Sequence, residues 1–389
     1  MIGPGKDMRR TRRFVLRASA EIIIAAAGTL LLVGALAADQ TWFDRHFLPV
    51  FFLSRSNYVL GETLARLFVG VFGVTLALLV RRMIGRVVER ASVRELIAGT
   101  ARIVLAIALA LAASEWVLRR TFALAVAEGP ADEEPLRQPD PRLGWAFVPA
   151  RTGHATVGGR DIIYAIDPLG YRVRSRDMPV EPGRPAILFT GESIIAGFGL
   201  NWDESIPAQV GALLRMQSAD MAVFGYANDQ AYLRLAAELP RFRQPVAVVS
   251  LFVPSLFVRN LDDDRPHLGP GLAWQPGIDR WRLMALANFL VPYHGDTEIE
   301  RGIQATRAVL LATADLARAH HAVPLVVVPQ FGPEGPVERM IRRRVLDDAG
   351  IAYVQIPLDP NWRLPGDSHP DARAAHAIGV AIAARLLQH

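Results

Sequence analysis

Three apolar runs fenced by arginines, all before Arg120, restrict this chain more than any other feature. They cover about Ile22 to Ala38, Leu64 to Val80 and Leu96 to Leu118. An apolar run of roughly 20 residues matches the hydrocarbon thickness of a bilayer. Inside that layer a helix is the form that satisfies its own backbone. Lys6, Arg9, Arg10, Arg12, Arg13 and Arg17 precede the first run, and Arg81, Arg82, Arg86, Arg90 and Arg94 separate the second from the third. Clusters of this kind stay in the cytoplasm. Arg66, Arg102 and Glu115 lie near run ends, where long side chains reach the interface. The connection from Asp39 to Thr63 carries Trp42, Phe43, Phe47 and Tyr58, suited to a membrane interface. The expectation is a membrane region over residues 1–126 with about three transmembrane helices, and everything after about Arg120 outside the cytoplasm. Ala35-Leu36-Ala37 has the form of a signal-peptidase site, and Thr11 to Arg17 that of a twin-arginine signal. Cleavage of the first span therefore stays open.

The remaining composition narrows the chemistry. With 389 residues the chain can hold two or three structural units. It has no cysteine, which excludes disulfides, zinc–thiolate sites and a cysteine nucleophile. The net charge of +5 reflects the arginines beside the apolar runs. No basic patch is interleaved with stacking aromatics, so a nucleic-acid partner is not expected.

Residues 127–184 read as a linker and a small accessory segment. The stretch from Glu128 to Pro141 is rich in Pro, Asp and Glu, the composition of an exposed linker. Short apolar runs around Leu143-Gly144-Trp145 and Ile162-Ile163-Tyr164 suggest a few strands, and Asp167-Pro168-Leu169-Gly170 a turn. The segment reads as accessory, with no chemistry of its own.

Residues 185–389 alternate between strand and helix patterns. The strand candidates are Ala186–Thr190, Met221–Phe224, Val246–Phe252, Leu325–Val328 and Ala352–Ile356. Helical patterns cover Asp203–Gln217, Asp229–Leu239, Glu298–His321, Val337–Ala349 and Asp371–Leu387. Continuous apolar strands separated by helices form a parallel sheet covered on both faces. The fold class is α/β, a three-layer α/β/α sandwich of flavodoxin-like type.

Three stations on that pattern carry chemistry. Ser193 follows the first strand in Gly191-Glu192-Ser193, at the carboxyl edge where open α/β sheets keep reactive groups. Gly225 follows the second strand, where a backbone N–H can face a pocket unobstructed. It equally suits a helix start capped by Asn228 or Asp229. His369 precedes the last helix, and Asp367 can hold its second ring nitrogen. His376, His320 and His321 read as structural. Asp262-Asp263-Asp264 lacks a partnering ligand set and reads as a solvated run, so neither a metal nor a cofactor is expected. The segment from Asn260 to Asp296, with Trp274 and Trp281, interrupts the alternation as a lid or substrate wall. Its aromatics read first as packing.

In this order the stations resemble the SGNH/GDSL hydrolase family, over about Pro185 to the C-terminus. Ser193 in Gly-Glu-Ser is similar to the family's Gly-Asp-Ser block, Gly225 to its second-block glycine, and Asp367 with His369 to its last block in a shortened form. The Leu143-Gly144-Trp145 segment resembles membrane-tethered bacterial members. The resemblance implies a catalytic set of Ser193, His369 and Asp367, with the N–H groups of Ser193 and Gly225 as oxyanion donors. It implies a serine esterase or O-acyltransferase acting on an acylated envelope glycan or lipid, at the periplasmic face of a bacterial membrane. The chain departs from the pattern at Glu192, where the family has aspartate. It departs again at Val253-Pro254-Ser255-Leu256, where the family has Asn-Asp. Proline has neither an amide side chain nor an N–H. Asn228, Ser255 and Asn260 stand as compensating donors. That loss leaves a second function open, a degenerate SGNH domain that binds a glycan or protein partner.

Overall fold

A computed structural model describes residues 4–128 and 137–388. The expected linker falls mostly on 129–136, outside the described residues. Two compact units emerge. One takes in the chain up to Phe47, Leu53–Phe122 and Trp281–Val291. The other takes in Leu48–Phe52, Ala123–Arg280 and Pro292–His389.

The first unit is helical. It contains α1 (Pro4–Ala37), α2 (Gln40–Phe47), α3 (Arg55–Thr75), α4 (Arg81–Arg90) and α5 (Val93–Glu128). A π-helical turn at Leu76–Val80 joins α3 to α4. Three stretches, Arg13–Ala37, Arg55–Arg90 and Val93–Thr121, are long and apolar enough to cross a membrane. Their large apolar side chains point outward, as Phe68, Leu67 and Ile103 do. The first two spans cross on glycine. A Cβ on Gly28 would lie 2.5 Å from the Gly73 carbonyl oxygen, and one on Gly73 would lie 2.6 Å from that of Gly28. Small residues at such crossings let backbones approach when no hydrophobic effect drives association.

The second unit is built on an eight-stranded sheet. Its strands are β3 (Thr152–Val157), β4 (Arg160–Ile166), β5 (Arg172–Val173), β6 (Ala186–Thr190), β7 (Gln217–Asp220), β8 (Pro245–Leu251), β11 (Val323–Phe331) and β12 (Tyr353–Leu358). Two small hairpins lie outside it: β1 (Arg137–Asp140) with β2 (Gly144–Phe147), and β9 (His267–Leu268) with β10 (Trp274–Gln275). The sheet order is β12-β11-β8-β6-β7-β5-β4-β3. The first five are parallel, in the flavodoxin order, and β5, β4 and β3 extend them antiparallel. Helices α6 (Ile206–Leu214) and α11 (Ala372–Leu386) pack together on one face. Helices α7 (Asn228–Glu238), α9 (Asp296–Ala319) and α10 (Pro336–Val345) cover the other. Strand β6 is buried along its whole length, the signature of a central parallel strand.

Three sequence expectations need correction. The second parallel strand runs over Gln217–Asp220, not Met221–Phe224. The apolar run that attracted the assignment is also buried, but it forms the turn beyond the strand. The strand itself hides because it carries a buried acidic residue, Asp220, opposite Arg172 of β5 in the backbone register. The accessory segment adds three strands to the main sheet, which therefore has eight strands and not five. The region from Asn260 to Asp296 divides between the units. Trp281–Val291 joins the helical unit as α8 (Arg282–Leu290), with no buried side chain and with Phe289 80% exposed. Glu115 of α5 accepts from the Arg282 and Leu283 N–H groups at 3.0 and 2.9 Å and so caps α8. Trp274 packs instead in the second unit, donating to the Arg142 carbonyl.

Candidate active site

The carboxyl ends of the parallel strands gather the polar residues. Strand β6 ends at Thr190, and the chain turns tightly, with the Ala196 N–H donating to the Glu192 carbonyl and the Phe198 N–H to that of Ser193. Ser193 stands in this turn, 4% exposed. At the far end of the chain, the Leu364 N–H donates to the His369 carbonyl at 2.7 Å, closing a loop before α11. Arg363 Nη1 holds the Ser368 carbonyl at 2.5 Å. Ser368 adopts φ +46°, a left-handed conformation costing on the order of 1 kcal/mol in a non-glycine residue. The turn thereby aims Asp367 and His369 at one another.

The three groups form a chain. Asp367 Oδ1 is hydrogen-bonded to His369 Nδ1, and Nε2 of the same ring lies 2.8 Å from Ser193 Oγ. A carboxylate on Nδ1 fixes its proton there and leaves Nε2 as the acceptor. The bond from His369 holds the Asp367 carboxyl below its ordinary range. Glu192 complicates the arrangement. Its Oε2 lies 2.6 Å from Ser193 Oγ and 2.9 Å from Arg259 Nη1, and its Oε1 accepts from the Ile194 N–H. The serine hydroxyl has one proton and two acceptors within reach. Arg259 offsets the Glu192 charge and so weakens the competing acceptor.

Ser193 and Gly225, the candidate oxyanion donors, both lie in turns beyond strand ends. Gly225 has φ +83°, and a Cβ there would lie 3.3 Å from the Trp145 ring. Among the described residues, neither the Ser193 nor the Gly225 backbone N–H donates to a protein acceptor. The three compensating candidates are placed differently. Asn228 and Asn260 hold each other: Asn260 Nδ2 donates to Asn228 Oδ1, Asn260 Oδ1 accepts the Asn228 N–H, and Asn228 Nδ2 donates to the Leu251 carbonyl. Each amide nitrogen keeps a second hydrogen. Both asparagines line a pocket with Gly191, Glu192, Tyr226 and Arg259. Ser255 is buried in the short helix after β8, and its carbonyl accepts the Phe51 N–H.

No family model and no curated protein matches the sequence. Over about half its length the chain is similar to solved GDSL-type and carbohydrate-esterase structures. One is a lipolytic protein assigned to the G-D-S-L family from Desulfitobacterium hafniense, at 12% identity and TM-score 0.33, covering 52% of this chain and 98% of that one. An acetyl xylan esterase from Butyrivibrio proteoclasticus shares 13% identity at TM-score 0.34, over 54% of this chain and 65% of its own. A GDSL-like lipase from Bacteroides thetaiotaomicron shares 15% identity at TM-score 0.32, over 54% and 91%.

Sequence reasoning missed the residues that hold these groups in place. Arg172 is fully buried and donates to the carbonyls of Ala196, Gly197 and Leu200 in the chain after Ser193. Its ring neighbour Tyr164 accepts the Gly199 N–H at 2.8 Å. Trp145 Nε1 donates to the Phe224 carbonyl at 2.9 Å, and the Tyr226 hydroxyl donates to the Trp145 carbonyl at 2.6 Å, so Trp145 brackets Gly225. The one available signal was the Leu-Gly-Trp motif itself. Finally, the His369 ring lies between the rings of Phe198 and Phe52.

Proposed function

We propose that the chain is a serine ester hydrolase anchored in a bacterial cytoplasmic membrane, with its C-terminal unit in the periplasm. The single observation that carries the chemistry is the Asp367–His369–Ser193 hydrogen-bonded chain at the carboxyl edge of the sheet. Ser193 Oγ attacks the carbonyl carbon of an acyl ester, and His369 Nε2 takes the hydroxyl proton. Asp367 holds the imidazolium. The Ser193 and Gly225 N–H groups receive the charge on the carbonyl oxygen, each donor worth on the order of 3 kcal/mol. The tetrahedral intermediate collapses, the ester C–O bond breaks, and His369 returns the proton to the departing alcohol. Water, or a sugar hydroxyl in the transferase variant, then attacks the acyl-serine by the same route. An acylated envelope glycan or lipid fits a site on a chain with three membrane-length helices. The basic clusters in the first half of α1 and around α4 favour a cytoplasmic location for those ends.

The binding-module reading draws on two observations: Pro254 stands where an amide donor is expected, and Glu192 accepts from the serine hydroxyl. The test is fluorophosphonate labelling of the full chain in detergent micelles, beside Ser193→Ala and His369→Ala. Labelling that Ser193→Ala abolishes and His369→Ala weakens is the expected result. A folded wild type that stays unlabelled sinks the esterase reading and favours the binding module.

A further inference from the structure

The short segment Leu48–Phe52 lies between α2 and α3, on the chain that connects the first two membrane-length helices, yet it belongs to the C-terminal unit. It is firmly seated there. Leu48 is 1% exposed among Phe252, Phe257 and Val328. The Phe51 N–H donates to the Ser255 carbonyl at 3.1 Å, and the Phe51 carbonyl accepts from Arg363 Nη1 at 3.2 Å. The Arg363 guanidinium lies 4.5 Å from the Phe51 ring centroid and 4.2 Å from that of Phe331. The two rings meet edge to face, 5.6 Å apart, and the guanidinium sits in the corner they form; a cation this close to aromatic rings is attracted to them. Arg363 is the same residue that holds the Ser368 carbonyl between Asp367 and His369.

These anchors deliver Phe52 to the histidine. Its ring centroid lies 4.7 Å from the His369 ring, tilted by 48°, while Phe198 lies 4.6 Å away at 38°. The imidazole is thus packed between two aromatic rings, one from the turn that carries Ser193 and one from the inter-span connection. Arg259 also lies over Phe52, its guanidinium 5.6 Å from the ring centroid, and it pairs with Glu192. Both groups that compete for the serine proton are therefore steadied by Phe52, His369 directly and Glu192 through Arg259.

We infer that the connection between the first two membrane-length helices completes the catalytic site, and that Phe52 is a positioning residue for His369. The inference rests on the esterase reading. Phe52 holds the imidazole plane where Nε2 meets Ser193 Oγ and shields it from water. Misplacing a reacting group by about 1 Å can cost on the order of 100-fold. A C-terminal fragment without residues 48–52 lacks this wall, so fragment assays understate the enzyme.

The test measures turnover of an aryl acetate by the full chain in detergent micelles. Phe52→Ala is expected to lower kcat on the order of tenfold or more while KM and Tm stay near wild type. Phe52→Tyr, which keeps the ring, restores kcat. A role limited to packing would lower Tm and leave the kcat of the folded fraction unchanged, and Phe52→Leu reads the same quantity should the alanine variant fold poorly. Ser193-dependent turnover that Phe52→Ala and Phe52→Leu leave intact overturns this inference alone. Turnover that survives Ser193→Ala overturns the esterase reading and the inference with it.

Discussion

The two halves of the sheet divide the work. The parallel half, β12-β11-β8-β6-β7, ends in the groups that the proposed chemistry uses: Ser193 after β6, Gly225 after β7, and His369 after β12. The antiparallel flank, β5-β4-β3, ends in none of them. It supplies Arg172 and Tyr164, which grip the carbonyl and N–H groups of the chain just after Ser193. Reactive groups and their supports thus come from different strand patterns. A site held by a flank of the same sheet is fixed by the fold itself, and a change to the flank is felt at the nucleophile.

The sharpest way to break this division is to change one residue on each side. His369→Ala, on the parallel side, is expected to lower kcat/KM by about 1,000-fold or more with Tm unchanged, the ordinary loss for a general base. Aryl ester turnover and a thermal melt check both halves of that statement. Arg172→Met, on the flank, is expected to lower Tm and, through the turn after Ser193, turnover as well. It leaves three carbonyls without their buried donor and costs about 3–5 kcal/mol, near 10 °C in Tm. A flank that only decorates the sheet would leave the melt unmoved.

Two smaller effects sharpen the boundary between the halves. Asp220 of β7 and Arg172 of β5 meet there in register. Burial pushes the Asp220 carboxyl up to about 7, against its ordinary 3.8, and lowers Arg172. The folded state therefore binds a proton that the unfolded state releases between those values. Stability from this group is complete below about pH 3.8 and is lost as pH rises toward 7. Asp220→Asn is expected to flatten the fall in Tm between pH 5 and pH 7, measured across that range, by on the order of a few degrees. An unchanged slope would place the titration elsewhere. Tyr164→Phe removes one hydrogen bond to the Gly199 N–H and is expected to cost about 1 kcal/mol, with kcat falling less than about tenfold. Denaturant unfolding and turnover measure the two parts.

Much of the parallel half was legible because its signals are local. An apolar run followed by Gly-Glu-Ser, a glycine at a strand end, and Asp-Ser-His before a helix each fit within a few residues. That the strands are parallel and covered on both faces followed from their alternation with helices. The flank was harder to read for a physical reason. Gln217–Asp220 is a buried strand written in polar letters, its Asp220 fully buried beside β5. Apolar pattern alone slides that strand onto the neighbouring Met221–Phe224. Arg172 itself looks like any surface arginine in a turn until its three carbonyl partners are seen. Phe52 was the least legible of all. Its neighbours Trp42, Phe43, Phe47 and Tyr58 suited a membrane interface, and nothing in the local sequence ties one phenylalanine to a histidine near the other end of the chain.

The seating of Leu48–Phe52 has a consequence of parity. Phe52 and His369 share one compact unit, so both lie on the same side of any membrane the chain enters. Between them lie two stretches long enough to cross, Arg55–Arg90 and Val93–Thr121. A path that starts and finishes on one side makes an even number of crossings. These two helices therefore cross together or not at all. If they cross, the arginine-rich bend between them, from Arg81 to Arg94, lies on the side opposite Phe52 and His369.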